Sequence, residues 1–407
     1  LKKHNKLKIL NDPIYGFISV PSEEIYQLIE HPYFQRLRRI TQMGLSYLVY
    51  PGAHHTRFHH ALGCLHLMQK AVQVLRSKRV AISDAEEDAL YKAILLHDIG
   101  HGPFSHALEN RIVKDVSHEE ISLSFMEALN LEFNGSLTMA IQIFKGKYHR
   151  PFMLELISSQ LDIDRMDYLK RDSFYTGVAE GNINSQRLIA MLNVIDDQLV
   201  VEEKGLYSVE NFLSGRRLMY WQVYLHKTGI GAEHLLQSFI QRALELIAQG
   251  ISVSLPDTLK FFLTSRNLDF KNARVLDRFA LLDDSDVIMA LKMNRNHKDF
   301  VLSELSKMIL ERELLKIKFT KKQTSPEKVE KKKQKLQQQY GISDHESSYF
   351  VFTGQVTNSA YAKAKPIKIL SKSGKLTELI KAGKEESFKA LANSVTKYYC
   401  CFPKIRD

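Results

Sequence analysis

Nine of the 16 histidines fall between positions 54 and 118: His54, His55, His59, His60, His66, His97, His101, His106 and His118. Imidazole is the commonest metal ligand and the commonest general acid or base, so such crowding asks for a chemical reason. His60, the adjacent His97 and Asp98, and a later acid in the string Leu161-Asp162-Ile163-Asp164-Arg165-Met166-Asp167-Tyr168 offer two imidazoles and two carboxylates. A mixed nitrogen and oxygen set of this kind suits Mn, Fe, Co, Ni, Zn or Mg and leaves positions open for water and substrate. Alone, a His-Asp dipeptide is ordinarily a helix-capping histidine beside a surface acid. Two neighbouring residues converge on one ion only where the backbone turns, and Gly100, Gly102 and Pro103 supply a turn. The three cysteines, Cys64, Cys400 and Cys401, cannot build a disulfide framework or a cysteine-rich zinc site, which fits a reducing compartment.

The elements that must hold these groups read as helices. Apolar residues recur at three- and four-residue steps through most of the first 315 positions, and alternating β-branched runs are scarce there. A helix is expected from Ser22 to Glu30, capped by Ser22 with Glu23 and Glu24 in its first turn, and another from Pro32 to Gln42. Ser83 and Glu86 have capping-box spacing, and Ala89, Leu90, Ala93, Ile94 and His97 follow on one face, so this helix delivers His97 and Asp98 to its C-terminal end before Gly100. Further helices are expected around 60–78, 118–130, 153–160, 162–171, 185–192, 208–227, 231–249, 256–264 and 299–318. Gln198 to Tyr207 reads as a short hairpin turning near Lys204-Gly205.

Between Lys316 and Lys335 stand nine lysines against Glu327 and Glu330, so this stretch carries +7 of the chain's net +11. Its composition suits a solvated helix or a mobile linker. Beyond it, 349–356 and 366–370 read as strands and 387–398 as a helix. The expected organisation is a mainly α protein: a helical unit over 1–315 with its core at about 45–175, a lysine-rich linker or helix over 316–344, and a small α+β region over 345–407. No run approaches eighteen consecutive apolar residues, and Lys2-Lys3-His4-Asn5-Lys6 is not followed by a signal-peptide core, so a cytoplasmic location without membrane attachment is expected.

Three strings carry more information than their composition. His97-Asp98-Ile99-Gly100-His101-Gly102-Pro103-Phe104-Ser105-His106, Tyr50-Pro51-Gly52-Ala53-His54-His55-Thr56-Arg57-Phe58-His59-His60, and Asp164-Arg165-Met166-Asp167-Tyr168-Leu169-Lys170-Arg171-Asp172 together resemble the HD-domain phosphohydrolases. Within them the chain is most similar to the deoxynucleoside triphosphate triphosphohydrolases, which include bacterial dGTPases and the vertebrate SAM-and-HD-domain enzyme. The resemblance covers roughly residues 10–315 and agrees with a helical bundle. It implies that His60, His97, Asp98 and Asp164 hold one divalent metal ion. Only one full ligand set is visible, which argues against the two-metal branch.

The spacing is compatible with that assignment. Arg57 and His60 are three apart and share a helix face, which puts a guanidinium beside the metal where a phosphate would bind. Asp164, Tyr168 and Asp172 recur at steps of four and form one stripe. By resemblance, Tyr168 packs on the deoxyribose and Asp172 meets the 3′-hydroxyl, while Arg165 stands where the family often has a phosphate-binding lysine. His101 is implied at the α-phosphate, His106 with Glu109 as the catalytic pair, and His118 as a wall of the same site. His54, His55 and His59 read as loop residues or supports of the ligands. Arg216, Tyr220 and Tyr224 form a second stripe. The family has an arginine for the γ-phosphate, commonly a histidine where Tyr220 stands, and a tyrosine that crowds the sugar 2′ position; Tyr220 and Trp221 also read as core aromatics. Gln42 is implied at the 3′-hydroxyl and Met43 at the base. Arg36, Arg38 and Arg39 read either as nucleotide or interface contacts or as a basic helix face.

These implications make the expected substrate a deoxynucleoside triphosphate, split into deoxynucleoside and inorganic triphosphate. A homo-oligomer with a nucleotide activator at a subunit interface is expected too. The alternatives are an HD phosphohydrolase acting on another nucleotide or phosphoester, and a nucleotide- or nucleic-acid-binding protein whose lysine run tracks phosphates.

Overall fold

The computed structural model describes residues 8–265, 267–362, 364–383 and 391–404, apart from the side chains of Ser105 and His106. Its centre is the 21-residue helix Arg57–Ser77, buried from Phe58 to Leu75 along one broad face. Against it pack Asp84–Leu96 and Ile163–Thr176, the two helices that carry the remaining expected ligands. The local signals behave as expected at both: Ser83 and Glu86 form a reciprocal capping box, and Asp162 caps the later helix by accepting the Arg165 N–H at 2.7 Å. Helices Lys227–Ala248 and Phe300–Leu310 close another side of the bundle. No described helix is long and apolar enough to cross a membrane.

Where the chain departs from its local reading, a distant partner is the reason. The expected Pro32–Gln42 helix is Pro32–Gln35 followed by a 3₁₀ turn, Arg36–Arg39. Ile40 then leaves the helix, because its carbonyl accepts the Arg57 N–H at 3.0 Å and Thr41 bridges to Thr56. Arg36 is fully buried, donating to the carbonyls of Ile99 and His101 at 2.9 Å and of Leu282 at 3.2 Å. It belongs neither to a basic surface nor to a nucleotide site; it ties the turn after His97 to this segment. Arg38 lies over the Phe58 ring, and Arg39 pairs with Asp283 at 2.5 Å.

Nine strands among the described residues flank the bundle. β1 (Ile9–Asp12) and β2 (Gly16–Ser19) form an N-terminal hairpin whose turn is held by Asp12, which accepts the Ile14 and Tyr15 N–H groups at 2.9 and 3.0 Å. The second hairpin begins six residues earlier than expected: β3 (Leu192–Ile195) turns at Asp196-Asp197, both at positive φ, into β4 (Gln198–Glu202). Lys204 and Gly205 instead lead into the helix Leu206–Met219.

The helix expected over 299–318 stops at Leu310, and β5 (Lys316–Thr320) follows, with Ile317 inward and Lys316 and Lys318 outward. The lysine run is thus a strand and then a helix, Pro326–Tyr340, which starts on proline and ends at the left-handed Gly341. β6 (Phe352–Asn358), β7 (Lys368–Leu370) and β8 (Leu376–Glu378) come next. The helix expected over 387–398 is overturned where it is described: Val395–Phe402 is β9, the central strand of the order β5-β9-β6. Its β-branched, aromatic and cysteine side chains suit a strand paired on both edges. β7 runs parallel to β4 in the order β3-β4-β7-β8, so strands from the middle and from the C-terminal region of the chain share one sheet.

Candidate active site

His60 sits in the first turn of the central helix, His97 closes Asp84–Leu96, and Asp164 lies in the first turn of Ile163–Thr176. Three helix ends therefore bring four polar side chains to one point. His60 Nε2 is 3.1 Å from Asp164 Oδ1 and 3.7 Å from Asp98 Oδ2, while His97 Nε2 is 3.4 Å from Asp98 Oδ1 and 3.6 Å from Asp164 Oδ1. Burial opposes the charge on both acids, but His97, His101 and Arg57 around Asp98, and His60 and His97 around Asp164, hold the two carboxyls well below their usual range.

The outer ring nitrogens are engaged elsewhere. His60 Nδ1 meets Asp167 Oδ2 at 2.8 Å, and His97 Nδ1 lies 2.7 Å from the Ile94 carbonyl. Both Nε2 atoms are thereby turned inward, and that of His97 is buried without a hydrogen-bond partner. A buried, unpartnered nitrogen facing two ionised carboxylates fits a divalent cation, since the outer hydrogen bonds orient the imidazoles as ligands. Cys64, one turn beyond His60, brings its sulfur to 3.6 Å from both ring nitrogens of His60, and its ligand atom groups with those of His60, His97 and Asp164. Counting cysteines could not find this, whereas the four-residue step from His60 was a visible signal.

Asp167 belongs to a buried chain. Arg171 donates to it at 2.9 and 3.0 Å and to Asp12 at 2.8 Å, so the N-terminal hairpin is tied through two residues to His60. On the opposite side Ser122 accepts the Gly100 N–H and donates to the His97 carbonyl, each at 2.9 Å, fixing the turn after the histidine-aspartate pair. Asp284, in a helix the sequence did not announce (Asp284–Asn294), accepts from Thr41 and from the Phe104 N–H at 2.8 Å, joining two loops of the site.

A cavity of about 490 Å³ opens from the acids. Twelve of the residues singled out from sequence line it: Gln42, Met43, Arg57, Asp98, His101, His118, Asp164, Arg165, Tyr168, Asp172, Tyr220 and Tyr224. His60 and His97 are buried behind the acids. Arg57 donates to Asp98, and Arg165 to Asp162. At the far end the Tyr224 hydroxyl donates to Asp172 Oδ2 at 2.7 Å, and His55, stacked on Tyr175, meets Asp172 Oδ1 at 2.7 Å. His55 is thus a support for Asp172, whereas His59 accepts the Thr56 N–H at its helix start and His54 stacks on Tyr47. Residues Tyr220–Tyr224 form a π turn that sets both tyrosines toward the cavity. Trp221 instead carries the Lys397 ammonium over its ring.

Arg216 does not line the cavity; its guanidinium lies 5.7 Å from the Tyr220 ring and its Nε is buried without a partner. Glu109 meets His118 Nδ1 at 2.6 Å, and the His118 ring stacks on His101 at 3.9 Å. The expected partner of Glu109, His106, has a side chain outside the described residues. Burial, reinforced by Arg57, pushes the His101 imidazole well below its usual range, against the opposing pull of Asp98 at 3.3 Å.

Glu233, in the Lys227–Ala248 helix, completes the wall, and no local pattern marked it. Burial alone pushes its carboxyl up to about 7. The folded chain therefore holds a proton that the unfolded chain releases above its ordinary range, and stability falls as pH rises from about 4.5 to about 7, with the full cost present above that. Glu233→Gln is expected to leave stability unchanged at pH 4 and to raise it at pH 8 by up to about 3 kcal/mol. Chemical denaturation at both values tests this; equal stabilisation at the two would disprove ionisation as the cause.

Comparison with known proteins follows the same outline. Residues 57–172 match the HD domain and residues 183–256 the HD associated region. Uncharacterized protein YwfO of Bacillus subtilis is 33% identical over 319 residues, covering 77% of this chain and 72% of its own. The deoxynucleoside triphosphate triphosphohydrolase SAMHD1 homolog of Dictyostelium discoideum is 32% identical over 281 residues, and the chain spans only 54% of its length. The crystal structure of a phosphohydrolase from Bacteroides thetaiotaomicron is 48% identical with a TM-score of 0.94, covering 98% of this chain and 100% of its own. Likeness that extends over the whole chain, and not only around the histidine-aspartate pair, settles the assignment: the protein belongs to the HD-domain phosphohydrolase family.

Proposed function

We propose that the chain hydrolyses deoxynucleoside triphosphates to deoxynucleoside and inorganic triphosphate. The observation that carries this reading is the cavity's polarity. Asp98, Asp164, Arg57 and Arg165 line it where the helix Ile163–Thr176 begins, Asp172, bonded to Tyr224, lines it two turns further along, and Tyr168 lies between, which suits a phosphate chain joined to a deoxyribose. The Dictyostelium relative bears the name of that activity. A single divalent ion held by His60, His97, Asp98 and Asp164 would polarise a phosphoryl oxygen and activate water. Arg57 and Arg165 balance charge on the phosphates, and His101 reaches toward the α-phosphate. Water adds at the α-phosphorus, the bond to the 5′-oxygen breaks, and that oxygen takes its proton from His118, which meets Glu109, or from His106, which the family resemblance assigns to act with Glu109. Asp172 accepts the 3′-hydroxyl beside Gln42, Tyr168 packs on the sugar, Tyr224 fills the space of a ribose 2′-hydroxyl, and Met43 lies toward the base.

A second reading, hydrolysis of another nucleotide or phosphoester, draws on a specific feature: Arg216 stands off the cavity and Tyr220 replaces a potential phosphate ligand, leaving fewer cations for a γ-phosphate. Incubation with each dNTP and Mn or Mg, followed by product separation, decides between them. Inorganic triphosphate with deoxynucleoside is the expected outcome, and pyrophosphate with monophosphate, or orthophosphate, would overturn the reading. We further infer a cytoplasmic homo-oligomer with a nucleotide activator at a subunit interface, testable by light scattering with and without dNTP.

A further inference from the structure

The lysine run folds into a groove. Lys328, Lys331, Lys332 and Lys335 lie on the Pro326–Tyr340 helix at steps of three, one and three, forming a single stripe about 10 Å long at 1.5 Å per residue. Lys316, at the start of β5, and Lys404, beyond the end of β9, line the same space of about 580 Å³, with Leu336 and Phe402 as its apolar part. Six ammonium groups from three chain segments thus gather around one groove, and no carboxylate is among the lining residues. None of the six is ion-paired with a described residue; on this helix Lys333 alone reaches an acid, Asp344, at 3.3 Å. Lys332 lies 3.3 Å over the Phe402 ring, and burial, together with Lys335, Lys316 and Lys318, pushes its ammonium down despite the opposing influence of Cys400.

Like charges assembled without counter-charge repel and weaken the fold, and an anion in the groove removes that cost. We propose that the groove binds the phosphodiester backbone of a single-stranded nucleic acid, at a site that shares no lining residue with the metal cavity. A chain, rather than a compact anion, suits the donors: Lys316, Lys328, Lys331, Lys335 and Lys404 are all exposed, so their ammonium groups follow a strand instead of being fixed around one ligand. Lysine on a flexible stem is a point charge that meets phosphate rather than a base edge, so sequence preference is weak. The ring of Phe402 is occupied by Lys332, which leaves little stacking platform.

The test is fluorescence anisotropy of a labelled 20-nucleotide single-stranded DNA with the full chain between about 50 and 300 mM salt. With about three phosphates engaged, the logarithm of affinity should fall with the logarithm of salt concentration at a slope of about −2. The triple variant Lys328→Gln, Lys331→Gln, Lys335→Gln changes only exposed side chains and relieves repulsion, so it should melt at or above the wild-type temperature while binding at least about tenfold more weakly with a slope nearer zero. Lys260→Gln, Lys271→Gln, Lys292→Gln removes the same charge elsewhere and should bind as wild type. Equal losses in the two variants would make net charge the cause and overturn the proposal. No binding at 50 mM salt would overturn it as well, and so would displacement by inorganic triphosphate at concentrations equal to those of the oligonucleotide, which would make the ligand a free oligophosphate.

Discussion

Asp98→Asn is expected to lower hydrolysis by on the order of a thousandfold and to strip the protein of its divalent metal, with a much smaller effect on folding. The Asp98 carboxylate lies 3.4 Å from His97, 3.7 Å from His60 and 3.3 Å from His101, and it accepts from Arg57. The amide keeps the shape but removes the negative charge that a cation requires, and it turns donor hydrogens toward two imidazoles and a guanidinium. Activity and structure separate here because Asp98 follows the helix C-cap and lines the cavity, where an amide of the same shape fills the same space. The neighbouring Asp167 provides the contrast. It touches His60 only through the outer ring nitrogen, so Asp167→Asn should weaken metal binding by about 10- to 100-fold rather than abolish it. Elemental analysis after dialysis, together with initial rates, separates the two. An Asp98→Asn protein that keeps its metal and a tenth of its activity would refute the ligand assignment.

Gly63→Ala should cost about 3–5 kcal/mol of stability, the range for breaking a buried ion pair by force. Intrinsic propensity predicts the opposite sign, since alanine in a helix interior is favoured over glycine by about 1 kcal/mol. Packing decides against propensity at this position. A Cβ on Gly63 would stand well inside 3.0 Å of both the Asp167 carboxylate and the Arg171 guanidinium. Both groups are fully buried and are bonded to each other, to His60 and to Asp12, so neither can move aside without losing a partner. The extra methyl would separate Arg57–Ser77 from Ile163–Thr176 at the level of the ligands. Urea unfolding of the two proteins measures the difference, and a variant as stable as wild type would show that the network yields more easily than this packing implies.

The site and its surroundings differed in how far local sequence could describe them. The delivery of His97 and Asp98 to a helix end was legible because its signals are local: a capping box at Ser83, a three- and four-residue apolar rhythm, and glycine at the turn. The stripe Asp164, Tyr168, Asp172 was legible for the same reason, being one face of one helix, and its members do share a cavity. Arg36 was not. A lone arginine among others looks like surface, and its burial follows from three carbonyls lying 63 to 246 positions away. The strand Val395–Phe402 was misread as a helix because its preference is expressed only when β5 and β6 flank it. Cys64 lay one helical step from His60 and so within reach of a local reading, whereas Glu233 carried no motif and became part of the site through helix packing.

By itself, then, the sequence determined the helical character of the bundle and the residue types of the candidate metal site, because helix caps, apolar period and the order of residues along one helix are set by neighbours within a turn or two. Only the tertiary structure decided that His60 and His97 face inward, that Asp172 is held by His55 and Tyr224, that Glu109 meets His118, and that a run of lysines becomes a groove. Each of these depends on contacts between segments far apart in the chain, where the geometry of packing, rather than local preference, selects the partner.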